Sequence, residues 1–406
     1  MKALLLCAFV GLWNVLHTVA NLAEVAPPDN VELFFVGFRH AERNPGKFLD
    51  NDPNKGGQPD GKWGLEGDSQ LTATGKRQAY VLGQQIRERY GDYLSVNHKG
   101  SELSPYSSTA ERCQDTLQAC LAGLYPPRNY DVWNETVLWE PIAYTQDEPM
   151  LRAYNLKDCP GNEVAWEPID NAQLPEAKEL LEEHKEVVDY LSEATGWEPT
   201  LANLGDLADN IVSIKRKNLE MPSFVTDNPL NKDLFEDIEE FEEINSGSLL
   251  QKHPPYQKND GLLLAKLHSN KDTGKAEGRL GGQESIHLCY EPVLHDLLVK
   301  GIVCTEIWVV VELRSDPDQA LRLIYTAPSE DGSDTRHSEV VAMKFCDGQE
   351  WCPVDTFMEG TASVTVKSWE AQCRKPVCFC TENPIPPEGS EYITEAEKHL
   401  HLYRRR

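Results

Sequence analysis

The chain has 406 residues, 40% of them hydrophobic and 26% charged, enough for one large domain with an insertion or for two domains. Its formal net charge of −27 excludes nucleic-acid binding by counterion release. The same charge argues against adhesion to anionic membrane surfaces.

Taken in chain order, residues 1–20 read as a secretory signal peptide: Lys2, an apolar stretch over 3–16, then the small-residue site Thr18-Val19-Ala20. The apolar run is short for a bilayer span, and no second stretch of spanning length follows, so no membrane anchor is expected. Residues 31–38 (VELFFVGF) form an unbroken apolar run, the pattern of a buried strand. Arg39-His40-Ala41-Glu42-Arg43-Asn44-Pro45 follows at its end. Thr72 is placed to cap a helix running through Tyr90, and a second helix is read within 107–127. Strand and helix signals alternate over 31–160, as in an α/β sheet with crossover helices. Composition then turns to Glu, Leu, Lys and Asp, with helical periodicity in PEAKELLEEHKEVVDYLSEA and DLFEDIEEFEEIN. Strand patterns return at 285–290, 305–313, 321–326 and 339–345. The chain ends in a polar, Pro-containing tail.

The informative chemistry is His40 at a strand end with Arg39 and Arg43 on either side. Arginine's planar fork matches phosphate oxygens, and its charge does not titrate away. A neutral imidazole can attack phosphorus and carry the phosphoryl group. The neighbouring cations favour that neutral ring over imidazolium. The bland alternative is a surface Arg/His/Glu cluster that closes a strand.

Several segments together carry a family resemblance. RHAERNP resembles the RHGxRxP signature of the histidine acid phosphatases, a branch of the histidine phosphatase superfamily, with Ala41 where that family usually has Gly. QLTATGKRQAYVLG, with Leu71, Thr72, Gly75, Gln78 and Gly83, resembles its QLTxxGxxQ helix start. SSTAERCQDTLQACLAGLYPP resembles its second helix. Trp139-Glu140-Pro141-Ile142, Cys159-Pro160, Glu312-Leu313, Tyr325, Cys346, Cys352-Pro353 and Phe357 match later markers. The resemblance implies an α/β fold: a phosphoglycerate-mutase-like α/β sandwich core with an inserted helical cap. The core would take residues 21–160 and 276–381, the cap 161–275 and the tail 382–406. It implies hydrolysis of phosphate monoesters at acidic pH, with His40 as nucleophile, Arg39 and Arg43 holding phosphate oxygens, and no metal or cofactor. The substrate would be a small phosphate monoester or a phosphoprotein, and a homodimer is left open.

Two positions depart from the family pattern. Its third phosphate-binding arginine is aligned with Tyr106, while Arg112 is expected to be structural. Its late His-Asp pair, in which histidine binds phosphate and aspartic acid protonates the leaving oxygen, has no counterpart in register after Ile286-His287-Leu288-Cys289-Tyr290. His295-Asp296 follows, displaced by a few residues, either as that pair in a remodelled loop or as polar residues on the amphipathic helix VLHDLLVKGIV. Glu42 and Glu291 are the other candidate acids. The alternative reading is a degenerate, secreted, non-catalytic binding protein that keeps the fold.

Of eleven cysteines only Cys7 lies in the signal segment, so ten remain, a set of disulfide candidates in an oxidising compartment. The resemblance pairs Cys159 with Cys373 and Cys346 with Cys352. Asn134-Glu135-Thr136 is a glycosylation sequon. Location is expected to be extracellular or within a lysosome-like lumen.

Overall fold

A computed structural model of the chain describes residues 30–55, 62–146, 175–230, 232–243, 285–289, 308–315, 317–328 and 336–362. The signal segment, Cys159, Cys373, Glu291, His295, Asp296 and the tail lie outside the described residues.

One sheet organises the fold. Its strands are β1 (Val31–Phe38), β2 (Leu103–Ser107), β3 (Thr145–Gln146), β4 (Ser285–Cys289), β5 (Trp308–Arg314), β6 (Ala320–Pro328), β7 (Arg336–Val340) and β8 (Cys352–Pro353). They lie in the order β3-β2-β4-β1-β5-β6-β7, with β8 on β6. The strand pairs from β3 to β1 are parallel, and the pairs from β1 through β7 are antiparallel. β1 is central, with Phe34, Phe35, Val36 and Phe38 all buried, which explains its unbroken apolar sequence.

Two helices cross over beside the parallel half. Helix α1 (Ala73–Tyr90) starts at Thr72, whose hydroxyl accepts the Gly75 N–H at 3.0 Å, the cap that the sequence predicts. Helix α2 (Glu111–Leu124) packs against it with the backbones nearly touching. A Cβ at Gly83 would stand 1.9 Å from the Cys120 carbonyl, and one at Gly123 would stand 2.0 Å from the Tyr80 carbonyl. Glycine is therefore required at this crossing. Phe34, Val36, Ile86, Tyr90, Leu117 and Leu124 form the core between sheet and helices.

A second core lies in the helical layer. Its helices are α3 (Pro175–Glu183), α4 (Lys185–Thr195), α5 (Leu201–Arg216), α6 (Ser223–Thr226) and α7 (Leu234–Glu243). Leu191, Leu207, Ile211, Ile238 and Phe241 pack there with Leu49 and Trp63, which come from the segment after β1. The helical layer is thereby pinned to the chain that leaves the sheet's central strand.

Three local differences from the sequence reading have physical causes. The PEAKELLEEHKEVVDYLSEA segment is two helices, broken at His184, whose ring contacts Asp237 at 3.1 Å on α7. The expected strand at 339–345 ends at Val340, and a 3-10 turn over Lys344–Cys346 takes over. That turn is drawn in by the Cys346–Cys352 disulfide, with Cα atoms 5.4 Å apart. Helix α8 (Val354–Thr361) then closes a small core of Leu321, Met343, Val354 and Phe357. Lastly, Cys120, one of the disulfide candidates, is a buried free thiol on α2, and burial pushes its proton affinity far up.

Candidate active site

Residues 39–46 leave β1 and are clamped in place from both crossover helices. The start of α1 holds one side: Thr72 N–H donates to the Glu42 carbonyl at 3.0 Å, and Glu42 N–H donates to Gln78 Oε1 at 3.0 Å. Gly75 permits this approach, since a Cβ there would lie 2.1 Å from the Glu42 carbonyl oxygen. Helix α2 holds the other: Ala41 N–H donates to Thr116 Oγ1 at 3.2 Å, and that hydroxyl donates to the Arg112 carbonyl at 2.6 Å. Asn44 N–H adds a bond to the Gln70 carbonyl at 3.0 Å. Ala41 needs no left-handed backbone, and its methyl packs with Leu71 and Ala79, so alanine is compatible with this turn.

His40 is fully buried. Its Nδ1 lies 2.9 Å from the Ala41 carbonyl. A carbonyl oxygen only accepts, so Nδ1 carries the proton and the lone pair is on Nε2. Burial is the largest influence on the ring and holds its pKa well below the ordinary 6.5. The charges of Arg39, Arg43 and Arg112 push it the same way. His40 is thus a neutral imidazole among three guanidiniums.

Arg112, expected from the sequence to be structural, also acts on His40 through its charge. It lies in the first turn of α2, and its charge lowers the His40 pKa, after burial, Arg39 and Arg43. The third cation at the histidine therefore comes from Arg112, and Tyr106 stays half-buried within β2, paired in register with Thr145 and Leu288. A sequence signal existed: Arg112 and Thr116 are four residues apart on one helix face, so a helix that clamps the turn through Thr116 carries Arg112 to it.

The helical layer reaches the same loop through α5 and the residue after it. Arg43 Nη1 donates to Asp209 Oδ2 at 2.8 Å, and Lys217 Nζ donates to Glu42 Oε1 at 2.6 Å. Glu42 Oε1 also accepts from Thr72 Oγ1 at 2.7 Å. Glu42 Oε1 thereby ties the loop to the start of α1 and to the end of the α5 region at once. Asp206, one turn before Asp209, has its carboxyl raised above the usual range, by burial first and by Asp209 second. No sequence pattern announces these residues, because they lie more than 160 positions from the loop they touch. Among the described residues no cluster of His, Cys, Asp and Glu is arranged to hold a metal ion.

Asn134 sits in an exposed turn, where its Oδ1 accepts from Thr136 N–H and Oγ1 at 2.9 and 2.8 Å.

Comparison with known proteins agrees with this geometry. Residues 36–190 match the family described as the histidine phosphatase superfamily (branch 2). Prostatic acid phosphatase of Rattus norvegicus is 29% identical over 255 residues, covering 60% of this chain and 64% of the relative. Lysosomal acid phosphatase of Homo sapiens is 26% identical over 258 residues, covering 62% of this chain and 58% of the relative. The chain thus spans less than two thirds of the length of these relatives. In fold it is similar to the Hafnia alvei phytase in complex with myo-inositol hexakis sulphate, with a TM-score of 0.58 at 13% identity over 86% of this chain and 100% of that one. The Citrobacter braakii phytase gives a TM-score of 0.55 at 14% identity, covering 85% of this chain and 98% of that one. Residues 36–190 thus carry a match to the histidine phosphatase superfamily (branch 2), the relatives that the chain resembles are acid phosphatases, and the fold is similar to that of the phytases.

Proposed function

We propose that this protein is a phosphomonoesterase acting through a phosphohistidine on His40. The observation that carries the reading is the buried, neutral His40 ring with its lone pair on Nε2, set among Arg39, Arg43 and Arg112. Nε2 attacks phosphorus in line, and the P–O bond to the alcohol breaks as the P–N bond forms. The three arginines stabilise the negative charge spread over the phosphoryl oxygens. Water then attacks phosphorus, the P–N bond breaks, and inorganic phosphate leaves. The alcohol needs a proton as it departs. His295-Asp296 is the pair we assign to phosphate binding and proton donation, with Glu291 as the other acid.

The substrate is a small phosphate monoester or an exposed phosphorylated side chain, and the reaction runs at acidic pH. A histidine whose pKa is held well below 6.5 supports that, because it stays nucleophilic where an ordinary one is protonated. Secretion or a lysosome-like lumen is supported by the Cys346–Cys352 disulfide and by the exposed Asn134 sequon. Among the described residues no helix is long and apolar enough to cross a membrane. A catalytically degenerate binding protein is the weaker reading, since the charges of Arg39, Arg43 and Arg112 all act on the buried His40.

The test is hydrolysis of p-nitrophenyl phosphate at acidic pH, with acid-quench trapping of phosphoenzyme. Wild-type protein is expected to turn over and to show an acid-labile phosphoryl label, and His40→Ala to lose both. Undiminished turnover by His40→Ala would overturn the mechanism.

A further inference from the structure

Asp209 holds two parts of the His40 loop with one oxygen. Its Oδ2 accepts from Arg43 Nη1 at 2.8 Å and from Gly46 N–H at 2.9 Å. Arg43 Nη1 also donates to the Asn44 carbonyl at 2.8 Å. A guanidinium is a rigid plane with five N–H donors, so fixing one nitrogen at two points fixes the direction of the rest. Nε and Nη2 form the edge that remains, and a two-donor edge is what grips an oxyanion bidentately. The pair is sheltered, with side chains 17% and 28% exposed, so water competes less than at an open surface pair.

The neighbourhood agrees. A Cβ at Gly46 would stand 3.8 Å from Asp206 Oδ1 and 3.9 Å from Asp209 Oδ2, so both carboxylates of α5 converge on this loop. Lys47 and Arg43 are the cations that act on Asp206. Lys47 itself is seated over the Trp197 ring at 3.8 Å, which leaves Arg43 as the hydrogen-bonded partner of Asp209.

We propose that Asp209 is a positioning residue for phosphoryl recognition: carried on the helical layer, it aims the Nε–Nη2 edge of Arg43 at the phosphoryl oxygens without touching them. This rests on the phosphatase reading of the His40 site. It makes the helical layer part of the phosphate site, so an acidic residue far along the chain sets how well a cation near the start works.

Calorimetric titration with inorganic phosphate tests it without relying on turnover. Asp209→Ala should weaken phosphate binding about tenfold, the worth of one charge-assisted hydrogen bond. In an Arg43→Ala background the same change should have no further effect, because Asp209 acts through Arg43. Asp209→Asn, which keeps an accepting oxygen without the charge, should fall between wild type and Asp209→Ala. Unaltered phosphate binding in Asp209→Ala, or an equal loss in both backgrounds, would overturn the proposal. Turnover surviving in His40→Ala would instead overturn the reading beneath it.

Discussion

Two arginine clusters share the central sheet and are built to opposite ends. In one, the centre is a carboxylate. Glu312 on β5 is fully buried and accepts from Arg89 Nη2 at 2.8 Å, Arg322 Nε at 2.6 Å and Tyr90 Oη at 2.5 Å. Arg322 reaches on to Glu350 at 2.5 Å. In the other, the centre is an imidazole that the surrounding cations and burial keep uncharged. Arginine's charge is fixed in both. The first cluster answers that charge from within the protein and so works as a structural bolt between α1, β5 and β6. The second has a neutral centre, and in the function proposed above a phosphoryl dianion would supply what Glu312 supplies in the first.

The largest effect is expected from removing the centre of the bolt. Glu312→Ala leaves buried guanidiniums without their carboxylate and should cost about 3–5 kcal/mol of folding stability. Urea unfolding measures this, while turnover per folded molecule should stay near wild type. A loss below about 1 kcal/mol would place this pair with solvated surface bridges and dissolve the contrast.

Arg112→Ala should give the reverse signature. Loss of one group that stabilises transition-state charge costs about 10²–10³ in kcat/KM, with little change in the urea midpoint. It also removes one of the charges that depress the His40 pKa, so the acid limb of the kcat/KM profile should move to higher pH. The same shift has a sign in stability. Below 6.5 the unfolded chain protonates this histidine while the folded one does not. Stability therefore falls as pH drops from there towards the folded pKa, and it falls less in Arg112→Ala. An unmoved acid limb would show that the Arg112 charge does not act at His40.

How much of this contrast the sequence carries differs between the clusters. RHAERNP puts Arg39, His40 and Arg43 within five positions, and the apolar run before it marks a strand end, so half of the site is a local pattern. Thr72 and Gly75 are legible for the same reason, being cap and close approach on one helix start. Arg112 is present in the sequence, but that its charge acts at His40 shows only once α2 packs against the turn through Thr116. Asp209 and Lys217 are illegible. Their partners are 166 and 175 residues away, and only tertiary packing of α5 brings them in. Glu312 is legible only as part of the Glu312-Leu313 marker in the family resemblance, since a buried carboxylate announces itself only through partners on α1 and β6.

The smallest effect sharpens the comparison within the bolt itself. The Tyr90 hydroxyl has its pKa raised well above 10.0, by burial first and then by the Glu312 charge, so it remains a proton donor at all working pH values. Its ring also stacks on Phe34 at 3.9 Å between centroids, nearly parallel. Tyr90→Phe keeps the ring and deletes the hydroxyl, which donates to Glu312 and accepts from Arg89 Nε at 2.9 Å. Glu312 Oε1 then still accepts from Arg89, and Oε2 from Arg322. Arg89 Nε loses the phenol oxygen that it donates to at 2.9 Å, but both Glu312 oxygens keep a guanidinium partner, so the cost should be about 1.5–3 kcal/mol, and less than that of Glu312→Ala. Urea unfolding of the single variants and of Tyr90→Phe/Glu312→Ala closes a cycle. If the two arginines already satisfy the carboxylate, Tyr90→Phe should lie at the low end and cost less once Glu312 is gone, when only the bond from Arg89 Nε remains to be lost. A cost as large as that of Glu312→Ala would mean that the phenol, not the guanidiniums, holds the buried charge. The first cluster would then owe its stability to a neutral donor, and the difference between the two centres would lie in hydrogen bonding and not in charge.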